Sequence, residues 1–194
     1  MTRTIGIYVY DDVEVPDFAG PYDVFTCATR VSHKTTPEAP PPFRVRTIGR
    51  TSALLRARAG LTVFPETDFG GGHLDVLIVP GGVIDAELAR PDVIAWIADT
   101  ARDSELVASV RTGAFLLTQA GLLDGQQLAS DDAAAGAAFP ELRVQGKRRW
   151  SGNGAIVAAG GVTTGVDLSL HLVERLAGRE LALATPRQMD YDWS

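Results

Sequence analysis

Cysteine is almost missing from this 194-residue chain: Cys27 stands alone, which excludes an intrachain disulfide and any cysteine-rich metal site. Histidine is scarce too. His33, His73 and His171 fall in two expected loops and an expected helix, and no metal-ligand spacing emerges from them. Positive charge is in deficit, with 18 Lys and Arg against 24 Asp and Glu, and a net charge of −6 argues against nucleic acid as a partner because phosphate binding needs a basic face. The cluster Lys147-Arg148-Arg149 before Trp150 reads as a solvated hairpin edge instead of a phosphate groove. No apolar run approaches the ~18 residues that cross a bilayer, and the chain opens directly on strand-like Thr4 to Tyr10 without a charged leader and cleavable apolar core. These absences imply a cytoplasmic protein with neither a membrane nor a nucleic-acid partner. With 45% of its residues hydrophobic, residues 1–194 suffice for a single domain with a full core.

What is present alternates between strand and helix. After the first strand and a helix near Asp17, residues 31–42 are polar and proline-rich and read as an exposed loop. Residues 43–48 and 60–64 read as strands, joined by a polar or hairpin connection over 49–58. Residues 74–79 form a nearly continuous apolar run closed by Pro80-Gly81-Gly82, the pattern of a parallel strand buried on both faces. A helix opens at Pro91, with Val93, Ile94, Ile97 and Ala101 at helical spacing. Residues 106–110 read as a strand, 112–120 as a helix and 133–138 as a short alanine-rich helix stopped near Pro140. Residues 143–150 and 155–158 then read as a strand pair around Ser151-Gly-Asn-Gly154, and 163–177 as an amphipathic helix with Gly178 near its end. Such alternation predicts a three-layer α/β/α sandwich.

The most informative segment is Leu106-Val-Ala-Ser-Val-Arg111-Thr-Gly-Ala-Phe-Leu-Leu-Thr-Gln-Ala-Gly121, an apolar strand, a tight turn and an amphipathic helix. It has the frame of a nucleophile elbow, in which one side chain on a strained strand-to-helix turn points at the substrate. Here that side chain is Arg111. A guanidinium stays protonated and offers no lone pair, so it cannot attack carbon. Cys27, within Val24-Phe-Thr-Cys-Ala-Thr29, reads as a small buried apolar residue in mid-helix, where nothing lowers a thiol's pKa.

Five separated motifs carry a resemblance: Asp17-Phe-Ala-Gly-Pro-Tyr-Asp-Val-Phe25, Leu74-Asp-Val-Leu-Ile-Val-Pro-Gly-Gly82, Ala120-Gly-Leu-Leu-Asp-Gly125, Ala159-Gly-Gly-Val-Thr-Thr-Gly-Val-Asp-Leu168 and Met189-Asp-Tyr-Asp192. In this order they resemble the DJ-1/PfpI superfamily, in the branch that holds isocyanide hydratases and the amidotransferase-like domains of some AraC-type regulators. The resemblance implies the flavodoxin-like fold of that family, a homodimer and no cofactor. Two departures fall where the family does its chemistry. Its usual elbow is Cys-Thr-Gly, whereas this chain has Arg111-Thr112-Gly113, and its Thr-Thr-His-Trp is matched by Ala129-Ser130-Asp131-Asp132. A thiolate mechanism therefore does not carry over.

Ligands in such sheets bind at the carboxyl ends of the strands. Three segments are expected to meet there: Asp17, the Gly81 and Gly82 backbone, and Arg111 with the Thr112 and Gly113 amides. Asp17 reads either as the N-cap of the first helix or, by the resemblance, as the acid beside the missing nucleophile. Arg111 reads either as a plug paired to Asp17 that fills an abandoned site or as a grip for a carboxylate, enolate or oxyanion. Asp131 stands as a candidate substrate contact at the family's histidine position, while for at least one of Asp131 and Asp132 a helix-capping role is the favoured reading. Tyr8, Tyr10 and Trp150 read as core or surface aromatics. Two functions follow: an enzyme acting on a small molecule by acid–base chemistry, of hydratase, lyase, isomerase or cyclase type, or a catalytically silent binder of a small metabolite. With no helix-turn-helix after residue 194, direct DNA regulation is expected to need another chain.

Overall fold

The computed structural model describes residues 1–123, 127–129, 143–145, 150–152, 154–160 and 164–193. Its strands are β1 (Arg3–Tyr8), β2 (Phe43–Ile48), β3 (Leu55–Arg56), β4 (Thr62–Val63), β5 (Val76–Val79), β6 (Leu106–Val110), β7 (Gln127–Ala129), β8 (Arg143–Gln145), β9 (Trp150–Gly152) and β10 (Ile156–Ala159). The described helices are α1 (Val15–Thr35), α2 (Asp85–Leu88), α3 (Pro91–Asp103), α4 (Gly113–Gln119), α5 (Thr164–Ala177) and α6 (Arg179–Gln188).

Every residue of β5 and β6 is buried, Ser109 of β6 being the one polar residue among them, as strands covered by helices on both faces of a parallel sheet require. The main sheet has the order β2-β1-β5-β6-β10-β9, parallel throughout except for antiparallel β9 at its edge. Helices α1, α5 and α6 pack together on one side, and α2, α3 and α4 on the other. The result is a three-layer α/β/α sandwich of flavodoxin-like order. From β1 the chain moves outward to β2, then crosses back to place β5 on the opposite side of β1. At such a reversal the connections diverge, leaving a crevice beyond the carboxyl ends of the strands.

Local chemistry accounts for the boundaries. Pro16 sits in the first turn of α1, where a missing N–H costs nothing, and Glu14 occupies the N-cap position, so Asp17 lies inside the first turn and is not the cap. α1 continues to Thr35, which makes residues 31–35 of the expected loop helical and places His33 in a helix. The expected strand over 60–64 is the shorter β4, paired antiparallel with β3 around a 3-10 turn at Arg58–Gly60. The expected strand over 143–150 divides. β8 pairs in parallel with β7 in a separate sheet, whereas β9 pairs with β10 and takes Ser151 and Gly152 into the strand instead of the turn. α6, an element beyond those the sequence pattern predicts, follows Gly178 at φ +94, a conformation suited to glycine. The expected helix over 133–138 and the basic cluster at 147–149 lie outside the described residues. No helix among those described is long and apolar enough to cross a membrane.

Candidate functional site

β6 ends at Val110, and the chain turns through Arg111 at φ +49, a left-handed conformation that costs a non-glycine residue about 1–2 kcal/mol. The turn is locked from both sides. Arg111 N–H donates to the Ala159 carbonyl of β10 at 2.8 Å, and Ala114 and Phe115 N–H donate back to Arg111 and Thr112 carbonyls. Gly113 must be glycine, because a Cβ there would lie 2.1 Å from the Val79 carbonyl oxygen of β5. The elbow foreseen from residues 106–121 is therefore present, with an arginine at its apex.

Asp17 comes to this apex from the first turn of α1. Its side chain has no solvent exposure, and its Oδ2 lies 3.4 Å from Arg111 Nη1, so the two residues pair. The Gly81 backbone packs directly against this carboxylate, and the fit leaves no room: a Cβ on Gly81 would stand 2.7 Å from Asp17 Oδ2 and 2.8 Å from Thr112 Oγ1. Asp17 Oδ1 is buried and has no hydrogen-bond partner among the described residues. Burial pushes the carboxyl up to about 6, against the opposing pull of the Arg111 charge, with the Glu14 charge adding to the rise. Asp17 is thus an acid poised to change charge near neutrality.

The glycine loop is fastened to the elbow by Thr112. Its Oγ1 accepts from Gly82 N–H at 2.9 Å and lies 3.1 Å from the Gly82 carbonyl, to which the hydroxyl donates. On the far side Glu14 N–H donates to the Gly81 carbonyl at 2.9 Å. The Tyr10 hydroxyl donates to the Pro80 carbonyl at 3.0 Å, and burial holds its pKa well above the ordinary value. The structure thus assembles Asp17, Gly81, Gly82, Arg111, Thr112 and Gly113 in one place. Asp131 and Asp132 lie outside the described residues.

Glu14 is the site residue that sequence reasoning missed. Its Oε2 lies 3.7 Å from Arg111 Nη1 and 3.8 Å from Arg58 Nε. Its signal was its place immediately before Val15-Pro16, the start of α1. Cys27 is elsewhere: its thiol is buried and reaches the Thr185 carbonyl of α6 at 3.9 Å, and burial pushes its pKa up. Among the described residues no cluster of three His, Cys, Asp or Glu is placed to hold a metal ion.

A model of the DJ-1/PfpI family matches residues 3–175. Isonitrile hydratase of Pseudomonas putida is 29% identical over 194 residues, a match covering 98% of this chain and 79% of that protein. The HTH-type transcriptional regulator GbdR of Pseudomonas aeruginosa is 25% identical, but this chain spans only about half of it, 51% against 98% of its own length. Among solved structures, a ThiJ/PfpI family protein from Pseudomonas syringae superposes with a TM-score of 0.83 at 25% identity, covering 100% of this chain and 77% of that one.

Proposed function

Since the chain belongs to the DJ-1/PfpI family but carries Arg111 where the resemblance sets a cysteine, we propose that it is a cofactor-independent enzyme that works by acid–base chemistry on a small organic molecule. The reaction is of hydratase or lyase type, or an isomerisation or ring closure. Similarity to an isonitrile hydratase supports the hydratase class. The observation that carries the reading is Asp17: fully buried, with one unpartnered oxygen and a pKa pushed up to about 6, beside a guanidinium whose side chain keeps 32% of its exposure. In the proposed cycle Asp17 delivers a proton to one atom of the substrate or withdraws it. Arg111, with the elbow amides of Thr112 and Gly113 that the Gly81-Gly82 loop holds in place, holds the negative charge that develops on the other side. Water is the nucleophile in a hydration, and no residue is covalently modified.

The Arg111–Asp17 pair and the similarity to a regulator favour a second reading, a silent domain that binds a small metabolite. In either case the protein is proposed to act in the cytoplasm as a homodimer without nucleic acid, for which sedimentation should give about twice the 20.6 kDa chain mass.

Turnover separates the two readings. Against a panel of isocyanides and other small unsaturated or carbonyl compounds followed by NMR, Asp17→Asn should lower turnover by roughly 10²–10⁴-fold while ligand affinity changes little. Arg111→Met should weaken both. Turnover unaltered in Asp17→Asn removes the proposed mechanism. Ligand binding with no turnover in the parent chain favours the silent domain.

A further inference from the structure

Glu14 holds a place that invites another occupant. Its carboxylate lies between two guanidiniums, 3.7 Å from Arg111 Nη1 and 3.8 Å from Arg58 Nε, and both distances run to the same oxygen, Oε2. These are ionic contacts without hydrogen-bond geometry, since a charge-assisted N–H···O bond is close to 2.8 Å. Among the described residues neither arginine is saturated. Nε and Nη2 of Arg111 have no acceptor within hydrogen-bonding distance among the described residues, and Arg58 keeps 54% of its side-chain exposure. The backbone beneath them, in contrast, is fixed: Arg58 N–H donates to the Val13 carbonyl at 2.9 Å, and Glu14 N–H donates to the Gly81 carbonyl. Arg58 stands in a 3-10 turn next to Ala59 at φ +60, and Arg111 itself turns the elbow at φ +49. The Glu14 side chain, a quarter exposed, is held by these two loose ion pairs.

We infer that Arg58 and Arg111 form a carboxylate seat in which Glu14 is a placeholder, and that the ligand of this site is a small carboxylic acid whose carboxylate displaces Glu14. The inference rests on the proposed use of Arg111 as an anion grip and extends it to a second cation and a substrate class. A free carboxylate entering between the two guanidiniums reaches the unused nitrogens and shortens both contacts, which the tethered Glu14 does not achieve. Displacing Glu14 also removes a negative charge that raises the Asp17 pKa, while the ligand's own carboxylate restores one. The remainder of the ligand then lies toward Asp17, where its orphan Oδ1 has no partner.

The test uses acetate and propionate as probes, acetamide as the neutral isostere and inorganic phosphate as the alternative oxyanion, titrated by calorimetry into the intact chain. Glu14→Gln removes the competitor, so acetate and propionate should bind about tenfold more tightly than to the parent, with acetamide unchanged. Arg58→Gln in the Glu14→Gln background should return that gain, and Arg58→Lys should recover part of it, since a point charge replaces a fork. The inference is overturned if Glu14→Gln leaves carboxylate affinity unchanged, if neither protein binds a carboxylate, if acetamide binds as well as acetate, or if phosphate binds better than both acids. Circular dichroism and the melting temperature of each variant show that it is folded. Unaltered turnover in Asp17→Asn with the carboxylate results intact would remove the acid–base mechanism and leave the seat. Carboxylate affinity indifferent to Glu14 and Arg58, with turnover still dependent on Asp17, would do the reverse.

Discussion

Asp17 and Glu87 are both withdrawn from solvent, at 0% and 1% exposure, yet the protein treats the two carboxylates in opposite ways. Glu87, in α2, has both oxygens occupied: the Tyr8 hydroxyl donates to one and Arg90 Nη1 to the other. Tyr8 in turn packs against Tyr10, Phe69 and Trp96, and burial beside the Glu87 charge pushes its hydroxyl pKa far up, so it remains a donor at any accessible pH. Asp17 has one oxygen in a loose 3.4 Å pair and the other unpartnered. A satisfied buried carboxylate ties elements together, here β1 to the α2–α3 layer. One left half satisfied costs stability, and a cleft that retains such a group points to chemistry.

The sharpest way to break this contrast is to remove Glu87. Glu87→Ala leaves the Tyr8 hydroxyl buried without its acceptor and Arg90 without its partner, so the chain should lose about 3–5 kcal/mol of stability in urea denaturation. Glu87→Gln keeps the acceptor for Tyr8 and should recover part of it. A loss below about 1 kcal/mol in Glu87→Ala would dissolve the distinction between the two carboxylates.

A smaller effect, of opposite sign, belongs to Asp17. Its pKa of about 6 in the folded chain exceeds the ordinary 3.8, so between those values the folded state holds the proton that the unfolded state has released. The contribution of Asp17 to stability is therefore fully present below about pH 4 and falls as pH rises through 6, a difference of order 3 kcal/mol. Asp17→Asn should flatten that segment of the stability curve, gaining on the parent as pH rises from 4.5 to 7.5. Denaturation midpoints of both proteins across that range check it. Parallel curves would show that Asp17 does not titrate there. If Asp17 acts as an acid, turnover should also fall above pH 6.

Smaller again is the effect of Thr112, whose hydroxyl makes two bonds to Gly82. Thr112→Val should cost about 1–2 kcal/mol by leaving the Gly82 N–H without its acceptor. Because this clamp fixes the elbow whose Thr112 and Gly113 amides are proposed to hold developing charge, turnover should fall more than ligand affinity. An equal fall in both would mean that the clamp serves only to position the ligand.

Legibility in the sequence followed the same division. β6 is legible to the residue, because four of the five residues from Leu106 to Val110 are apolar and Arg111-Thr112-Gly113 ends the run abruptly. The three segments of the site were readable because strand ends and glycine turns are local signals and the sheet order then brings them together. Glu14 and Glu87 were not, since nothing local distinguishes an acid that will be buried against an arginine from one that will be solvated. The end of α1 was misplaced for a related reason: residues 31–35 lie on a largely exposed stretch, and a solvated helical turn carries no apolar periodicity to separate it from a loop. Aspartate favours the cap position, but Val15-Pro16 starts the helix earlier and moves Asp17 into the first turn.

The smallest expected effect concerns the other buried titratable group of α1. Cys27 lies ten residues beyond Asp17, about 15 Å along the helix axis. Its thiol is enclosed against α6, with the Thr185 carbonyl as a weak partner, and burial raises its pKa, so it supplies little thiolate at neutral pH. Arg111 offers no nucleophile in its place. Incubation with isocyanides or methylglyoxal should therefore leave no covalent adduct at residues 106–121, read by mass spectrometry of the intact chain and its peptides. Cys27→Ala removes a buried sulfur atom and should cost about 1 kcal/mol of stability, with turnover changed by less than about twofold. If Cys27→Ala abolishes turnover, or a stable thioimidate or hemithioacetal is found on Cys27, the thiol is the working group and Asp17 is not its substitute. If hydration of an isocyanide survives Cys27→Ala, the reaction proceeds without sulfur, and the burden falls on the half-satisfied carboxylate and the guanidinium beside it.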